Sequence, residues 1–108
     1  MSTFTPDIIT RVWEQASTVL GFDPNVWRQD FAGAWICRDQ YGMRTWFRWQ
    51  IDHLRPISKG GSDILSNLCP MHWRNNLKKS DDYPNFLSEI TSDGNHNVET
   101  IKSWEIKG

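Results

Sequence analysis

The chain has 108 residues, a length that suits one compact domain and argues against two. Hydrophobic residues make up only 38% of the sequence, but seven tryptophans bring the aromatic share to 13%, which supplies large side chains for a small core. The net charge is −1, no apolar run approaches the ~20 residues that span a bilayer, and no charged-then-apolar leader opens the chain. Cys37 and Cys69 form no CxxC pair, which excludes a disulfide framework and the usual four-cysteine zinc site. We therefore expect a reduced, cytoplasmic protein with no membrane partner.

Residues 5–21 predict an N-terminal helix. Thr5 suits the N-cap and Pro6 the first helical position, and apolar side chains recur at helical spacing from Ile8 to Leu20. Gly21 would end the helix. The apolar stripe predicts a face packed against the core.

The next part of the chain predicts a turn and two strands. Residues 22–30 indicate a turn with a short helical piece around Val26 and Trp27. Residues 34–37 and 45–53 favour strands joined by a loop near residues 39–42. In the second strand, alternation places Gln50 and Asp52 on one face and His53 on the other.

Residues 56–63 contain Pro and Gly-Gly and predict a loop, after which residues 68–71 return as a short strand. A helix then runs from about residue 72 to 79 and stops before Tyr83-Pro84. Beyond residue 85 the pattern allows two outcomes: a hairpin around Asp93-Gly94, or a C-terminal helix over residues 98–106. The predicted fold is α+β in a single domain, residues 1–108. Its N-terminal helix (5–21) packs on a core of hairpin, glycine-rich loop and short helix (44–82), and an extension (85–108) follows.

Residues 49–81, WQIDHLRPISKGGSDILSNLCPMHWRNNLKKSD, bring together the parts of a metal-assisted phosphodiester cleavage site: a base, hard metal ligands and cations for phosphate. His53 is the natural base, because an imidazole with a pKa near ~6.5 accepts a proton at neutral pH. Asp52 and Asn76 offer oxygen atoms, which favour Mg²⁺ or Mn²⁺ over zinc and leave coordination positions open. Asn67 can brace the loop through backbone hydrogen bonds and so orient His53.

Two assignments on the helix stay open. Asn75 competes with Asn76 for the ligand position, and Asn76 could instead be a solvated helix residue. His72 lies one turn before Asn76 on the same helix face, so it either contacts the metal or phosphate or is a polar residue at the helix start.

A basic segment lies within an acidic chain. Residues 44–79 hold seven basic and two acidic side chains, a net charge of +5, whereas the rest of the chain carries −6. This distribution is typical of a phosphate-facing surface, although a solvated helix face is the alternative. The expected nucleic-acid contacts are Arg48, Arg55, Lys59, Arg74, Lys78 and Lys79.

The order of these residues resembles the HNH endonuclease family, the ββα-metal or His-Me finger nucleases. The similarity covers about residues 5–84 and is to a zinc-free subgroup of small bacterial and phage proteins with an Asp-His…Asn…Asn motif. It implies that His53 is the general base, that Asp52 and Asn76 hold one divalent ion, and that Asn67 is the middle asparagine. Many members hold a structural zinc with two CxxC pairs, which this chain cannot do.

The sequence therefore predicts a divalent-metal-dependent DNA endonuclease. The alternative is a catalytically silent nucleic-acid-binding or inhibitory module that keeps the fold, and RNA stays open as a substrate. Because one catalytic centre cuts one strand, cutting both strands would need two visits, a homodimer or another protein partner.

Overall fold

Two α-helices and three antiparallel strand pairs make up residues 3–107, the part of the chain that the computed structural model describes. The predicted α+β class is confirmed. Among the described residues, no helix is long and apolar enough to cross a membrane. The elements in chain order are α1 (Pro6–Trp13), β1 (Trp27–Gln29), β2 (Trp35–Cys37), β3 (Trp49–His53), β4 (Leu68–His72), α2 (Trp73–Lys79), β5 (Asn85–Asp93) and β6 (His96–Glu105).

Helix α1 begins as predicted but ends eight residues early. The Thr5 hydroxyl accepts a hydrogen bond from the Ile8 N–H at 3.3 Å, and Pro6 takes the first helical position. The expectation of a helix up to Gly21 is wrong, because Ser17 instead exchanges backbone hydrogen bonds with Gln29 at 2.8 and 2.9 Å. Leu20, expected on the buried stripe, is fully exposed.

The region before the basic segment pairs differently from the prediction. Residues 27–29 are strand β1 and not a helical piece, and they pair with β2 in the register Trp27↔Cys37 and Gln29↔Trp35. The strand expected over residues 45–53 begins only at Trp49, and it pairs with β4 across the glycine-rich loop, as in the predicted hairpin. Residues 45–48 form a turn, in which the Arg48 N–H donates to the Thr45 carbonyl at 3.2 Å.

Strands β3 and β4 form a hairpin that leads directly into α2. The register pairs Trp49 with His72 at one end and His53 with Leu68 at the loop end. The predicted return strand and the following helix are confirmed to within a residue. Asp52 and His53 therefore lie at the far end of the hairpin from the start of α2.

The C-terminal extension is a hairpin, the first of the two outcomes left open by the sequence. It docks on α2 through Asn75, whose side-chain oxygen accepts from the Ile90 N–H at 2.8 Å and whose amide donates to the Ile90 carbonyl at 2.9 Å. It also contacts β2, where Asn97 Oδ1 accepts a hydrogen bond from the Trp35 N–H and Asn97 Nδ2 donates one to the Trp35 carbonyl.

The largest group of core side chains joins α1 to the β3–β4 hairpin. The rings of Trp13 and Trp49 lie 5.4 Å apart and are both fully buried. The buried members of this cluster are Val12, Trp13, Ala16, Ile36, Trp49 and Leu68. Tryptophan packing thus supports the hairpin on the side that faces α1.

A buried carboxylate fixes the start of α2. Asp30 is 3% exposed and accepts hydrogen bonds from the His72 N–H at 2.9 Å and the Asn75 amide at 3.0 Å. Burial raises the pKa of Asp30, and these hydrogen bonds oppose the rise. Because a buried carboxylate is costly unless it is well bonded, this contact fixes where the helix begins relative to the β1–β2 turn.

Candidate active site

Asp52 and His53 end strand β3 at a glycine-rich loop, and the loop returns an acidic partner to the histidine. His53 Nε2 lies 2.6 Å from Asp63 Oδ1, and the His53 side chain is 16% exposed. A carboxylate at this distance orients the imidazole. The sequence analysis missed Asp63, although its position just after Gly-Gly was the signal that could have indicated it.

Asn67 closes the same loop. Its side-chain oxygen accepts from the Arg55 N–H at 2.9 Å, and its amide donates to the carbonyls of Arg55 and Ser62 at 3.1 and 2.8 Å. Only glycine fits at position 61 of the closed loop, because the Cβ of any other residue would lie 1.8 Å from the Arg55 carbonyl oxygen. The loop that carries Asp63 is therefore held by three hydrogen bonds from one side chain.

Asp52 faces a buried cation supplied by α2. The Lys79 ammonium lies 3.1 Å from Asp52 Oδ2 and donates a hydrogen bond to the His53 carbonyl at 3.2 Å. The Lys79 side chain is fully buried, and Asp52 is 8% exposed. Burial raises the pKa of Asp52 to about 6, against the opposing attraction of Lys79. Lys79 was predicted to contact phosphate, but its ammonium is buried against Asp52 and His53 at the end of β3.

Three side-chain pairs join the outer face of β3 to α2. Gln50 and Asp52 share that face, as the alternation predicted. Their partners on α2 are spaced three residues apart, so they lie on one face of the helix. The Asn76 amide donates to Gln50 Oε1 at 2.7 Å, one step from the pair formed by Asp52 and Lys79. At the other end, the Arg48 guanidinium lies over the Trp73 ring, 4.0 Å from its centroid. Asn76 and Asp52 therefore belong to neighbouring pairs of one strand–helix interface.

Asn75 and His72 have structural partners away from that interface. Asn75 is fully buried and bonds Asp30 and the β5 backbone, so the helix register directs Asn76 toward β3. His72 is also fully buried; its Nδ1 accepts from the Arg74 N–H at 3.2 Å and its Nε2 bonds the Trp46 carbonyl at 2.9 Å. Burial lowers the pKa of His72 to about 4, so it is neutral and both ring nitrogens are engaged.

The remaining basic side chains divide into those exposed to solvent and one that is paired with carboxylates of the protein. Arg55, Lys59 and Lys78 are exposed, as phosphate contacts would be. Arg74 is instead held by two carboxylates of the C-terminal hairpin, Glu89 and Glu99, and the hydrogen bond to Glu99 is the largest cause that raises the pKa of Arg74. Its charge is neutralised within the protein, contrary to its expected role at nucleic acid.

An open cleft of about 330 Å³ lies beside the end of β3. Asp52 and His53 line it on one side and Asp81 on another, where Asp81 accepts a hydrogen bond from the Ser58 hydroxyl at 3.2 Å. The full lining is Ile51, Asp52, His53, Pro56, Ile57, Ser58, Ser80 and Asp81. The candidate base and carboxylate therefore share one solvent-accessible space.

The described side chains offer few donor atoms for a cation at this site. Asp52 Oδ2 is buried and accepts no hydrogen bond from a described residue, since Lys79 is close to it without hydrogen-bond geometry. Within residues 3–107, no group of three or more His, Cys, Asp or Glu side chains is arranged to hold a metal. Cys69 pairs with Asp52 across the hairpin, and burial raises the pKa of its thiol to about 12, so it offers no thiolate. The oxygens predicted to hold a metal ion are those of Asp52 and Asn76, which lie in neighbouring strand–helix pairs.

Comparison with known proteins identifies the segment that carries the site. Residues 38–85 match the family model described as HNH endonuclease, a span that contains β3, the glycine-rich loop, β4 and α2. No curated protein and no solved structure matches the chain. Residues 38–85, with Asp52, His53 and Asn76 inside the matched span, are therefore similar to the HNH endonuclease family.

Proposed function

We propose that this protein is an endonuclease that hydrolyses phosphodiester bonds in DNA, with His53 as the general base. The observation that carries the proposal is the contact of 2.6 Å between His53 and Asp63 at the mouth of a cleft that also contains Asp52. The match of residues 38–85 to the HNH endonuclease model supports nuclease activity, and the exposed cations near the loop suit a polyanionic substrate.

In this proposal His53 removes a proton from the attacking water. Asp63 stabilises the imidazolium that forms, because its carboxylate already contacts Nε2. Asn67 keeps the loop closed, so Asp63 returns to the same place in each turnover. Proton transfer by a positioned base contributes typically ~10²–10⁴-fold to the rate.

Asp52 and Asn76 are the residues that would hold a divalent ion, for which we propose Mg²⁺ or Mn²⁺. Bound there, such an ion would supply positive charge for the phosphate oxygens. Lys79 places an ammonium beside the same carboxylate and keeps Asp52 anionic despite its burial. The buried lysine therefore preserves an anionic oxygen at the strand end.

The test is nicking of supercoiled plasmid DNA by the purified chain with Mg²⁺, Mn²⁺, Zn²⁺ or chelator alone. We expect nicking with Mg²⁺ or Mn²⁺, none with chelator, and none for His53→Ala. His96→Ala is the matched control, because His96 lies at the start of β6 and is exposed. Parallel reactions with RNA determine whether the protein cleaves DNA, RNA or both. Equal nicking by His53→Ala and His96→Ala would refute the assigned base.

One observation favours a second candidate, a nucleic-acid-binding module without catalysis. The ammonium of Lys79 lies within 3.1 Å of the only carboxylate among the proposed metal ligands and would repel a divalent ion. Under this alternative the wild-type chain would bind DNA with all three metals and nick it with none. Plasmid nicking measured beside equilibrium binding distinguishes the two functions.

A further inference from the structure

Trp46, Arg48 and Trp73 form one surface near the start of α2, which we call the tryptophan platform. The Arg48 guanidinium lies 4.0 Å from the centroid of the Trp73 ring. The rings of Trp46 and Trp73 meet edge to face at 6.3 Å, and Trp46 is 44% exposed. The platform thus presents a large aromatic side chain to solvent beside a stacked cation.

The backbone under the platform is fixed. The Trp46 carbonyl accepts from Trp73 Nε1 at 3.2 Å and bonds His72 Nε2 at 2.9 Å. The His72 ring is buried and packs 5.3 Å from the Trp46 ring. A tryptophan held in this way loses little conformational freedom on binding, which suits it to ligand contact.

Arg48 carries a positive charge that the protein does not neutralise. Across residues 3–107 no carboxylate forms an ion pair with Arg48, whereas Arg74 is paired with both Glu89 and Glu99. A cation stacked on an aromatic ring next to an exposed indole is the combination that single-stranded nucleic acids use, because bases stack on the ring and phosphates meet the charge.

The platform lies on the same strand–helix interface as the proposed site. Arg48 is four residues before Asp52, which corresponds to roughly 13 Å along an extended strand. This distance covers a few nucleotides of a bound strand. A nucleic acid with its scissile phosphate at His53 could therefore extend across the platform.

We propose that the tryptophan platform stacks an unpaired nucleobase, so that the protein prefers DNA with a single-stranded region a few nucleotides from the cleaved bond. The inference rests on the proposed function. It specifies the substrate because a base within a duplex is covered on both faces, whereas an unpaired base can stack on Trp46.

The experiment measures equilibrium binding of a labelled single-stranded oligonucleotide and of its duplex. The protein is the full chain with His53→Ala, so that DNA stays uncut, alone or combined with Trp46→Ala, Trp46→Phe or Phe22→Ala. We expect Trp46→Ala to weaken single-strand binding about 5- to 150-fold, the range for one lost base–aromatic stack. Trp46→Phe should restore most of the affinity. Phe22→Ala, which removes a half-exposed ring elsewhere, should change little.

Unchanged single-strand affinity in Trp46→Ala would overturn the inference, and so would an equal loss for duplex and single strand, since that result indicates a backbone contact. A large loss in Phe22→Ala would place base binding at the other aromatic cluster and overturn it as well. Plasmid nicking by the chain with intact His53 tests the proposed function separately. Intact nicking without platform-dependent binding refutes this inference alone, and platform-dependent binding without nicking refutes the endonuclease alone.

Discussion

The ammonium of Lys79 lies 3.1 Å from the carboxylate of Asp52, and no part of the Lys79 side chain is exposed. Removing one partner of such a pair leaves an uncompensated buried charge, which typically costs ~3–5 kcal/mol. Lys79→Met should therefore lower the free energy of unfolding by an amount in this range, measured by urea denaturation. Lys78→Met, at the exposed neighbouring position, is the matched control and should change it by less than about 0.5 kcal/mol. Equal effects of the two changes would show that the buried pair does not stabilise the fold.

Asn75 and Asn76 should separate stability from activity. Asn75→Ala removes hydrogen bonds to Asp30, Glu89 and Ile90 and leaves buried groups unsatisfied, so we expect a loss of about 2–4 kcal/mol in stability. The fraction that stays folded should nick DNA normally. Asn76→Ala should leave the fold stable but severely reduce metal-dependent nicking. Denaturation curves and nicking rates per folded molecule check both expectations, and the reverse assignment of effects would show that Asn76 is not the ligand.

Asp63 should contribute to catalysis through His53. Asp63→Asn keeps the size of the side chain but removes the carboxylate that contacts His53 Nε2. We expect a fall of about 10- to 100-fold in the nicking rate, with DNA affinity nearly unchanged. Asp93→Asn, at an exposed position at the end of β5, is the control. A normal rate in Asp63→Asn would contradict a role for this carboxylate in orienting the base.

His72 predicts a pH dependence of stability. The pKa of His72 is about 4 in the folded protein and ~6.5 in an unfolded chain, so the unfolded state binds more protons between these values. The contribution of His72 to the free energy of unfolding is therefore fully present above about pH 6.5. It decreases by roughly 3 kcal/mol as the pH falls toward 4. In His72→Asn, which retains an N-cap acceptor, the loss between pH 7 and 4 should be smaller. Identical pH profiles for the two proteins would contradict the assignment.

Chelator should remove activity without unfolding the protein. The two cysteines are free, and the tryptophan core packs against the hairpin, so we expect the protein to fold without zinc. We expect the same thermal unfolding midpoint with and without chelator, and no stoichiometric zinc in the purified protein. A midpoint that falls on chelation would reveal a structural metal.

The sequence predicted the elements whose signals are local. Thr5 and Pro6 marked the start of α1. The glycine loop separated β3 from β4, and Pro84 lay just beyond the end of α2. The end of α1 could not be predicted, because residues 14–20 have a helical apolar pattern that is overridden by the pairing of Ser17 with Gln29. Strand β1 was missed for the same reason, since its three residues gain their ladder only from a distant partner.

For the candidate site, the sequence could place residues on elements but could not predict which long-range contacts they make. Lys79 and Lys78 are equivalent by residue type, yet packing buries one and exposes the other. Arg74 looked available for phosphate until the C-terminal hairpin supplied Glu89 and Glu99 from 15 and 25 residues away. Contacts of this kind depend on tertiary packing, which neither periodicity nor charge count encodes.

The docking of the β5–β6 hairpin on α2 limits how the matched segment, residues 38–85, can be moved between proteins. The family match ends at residue 85, where β5 begins, but Asn75 and Arg74 inside the match take their partners from that hairpin. A graft of residues 38–85 alone would leave Arg74 and Asn75 without these partners and would remove the Phe86 ring that lies beside Lys79. The matched segment therefore needs its hairpin to keep the contacts of α2.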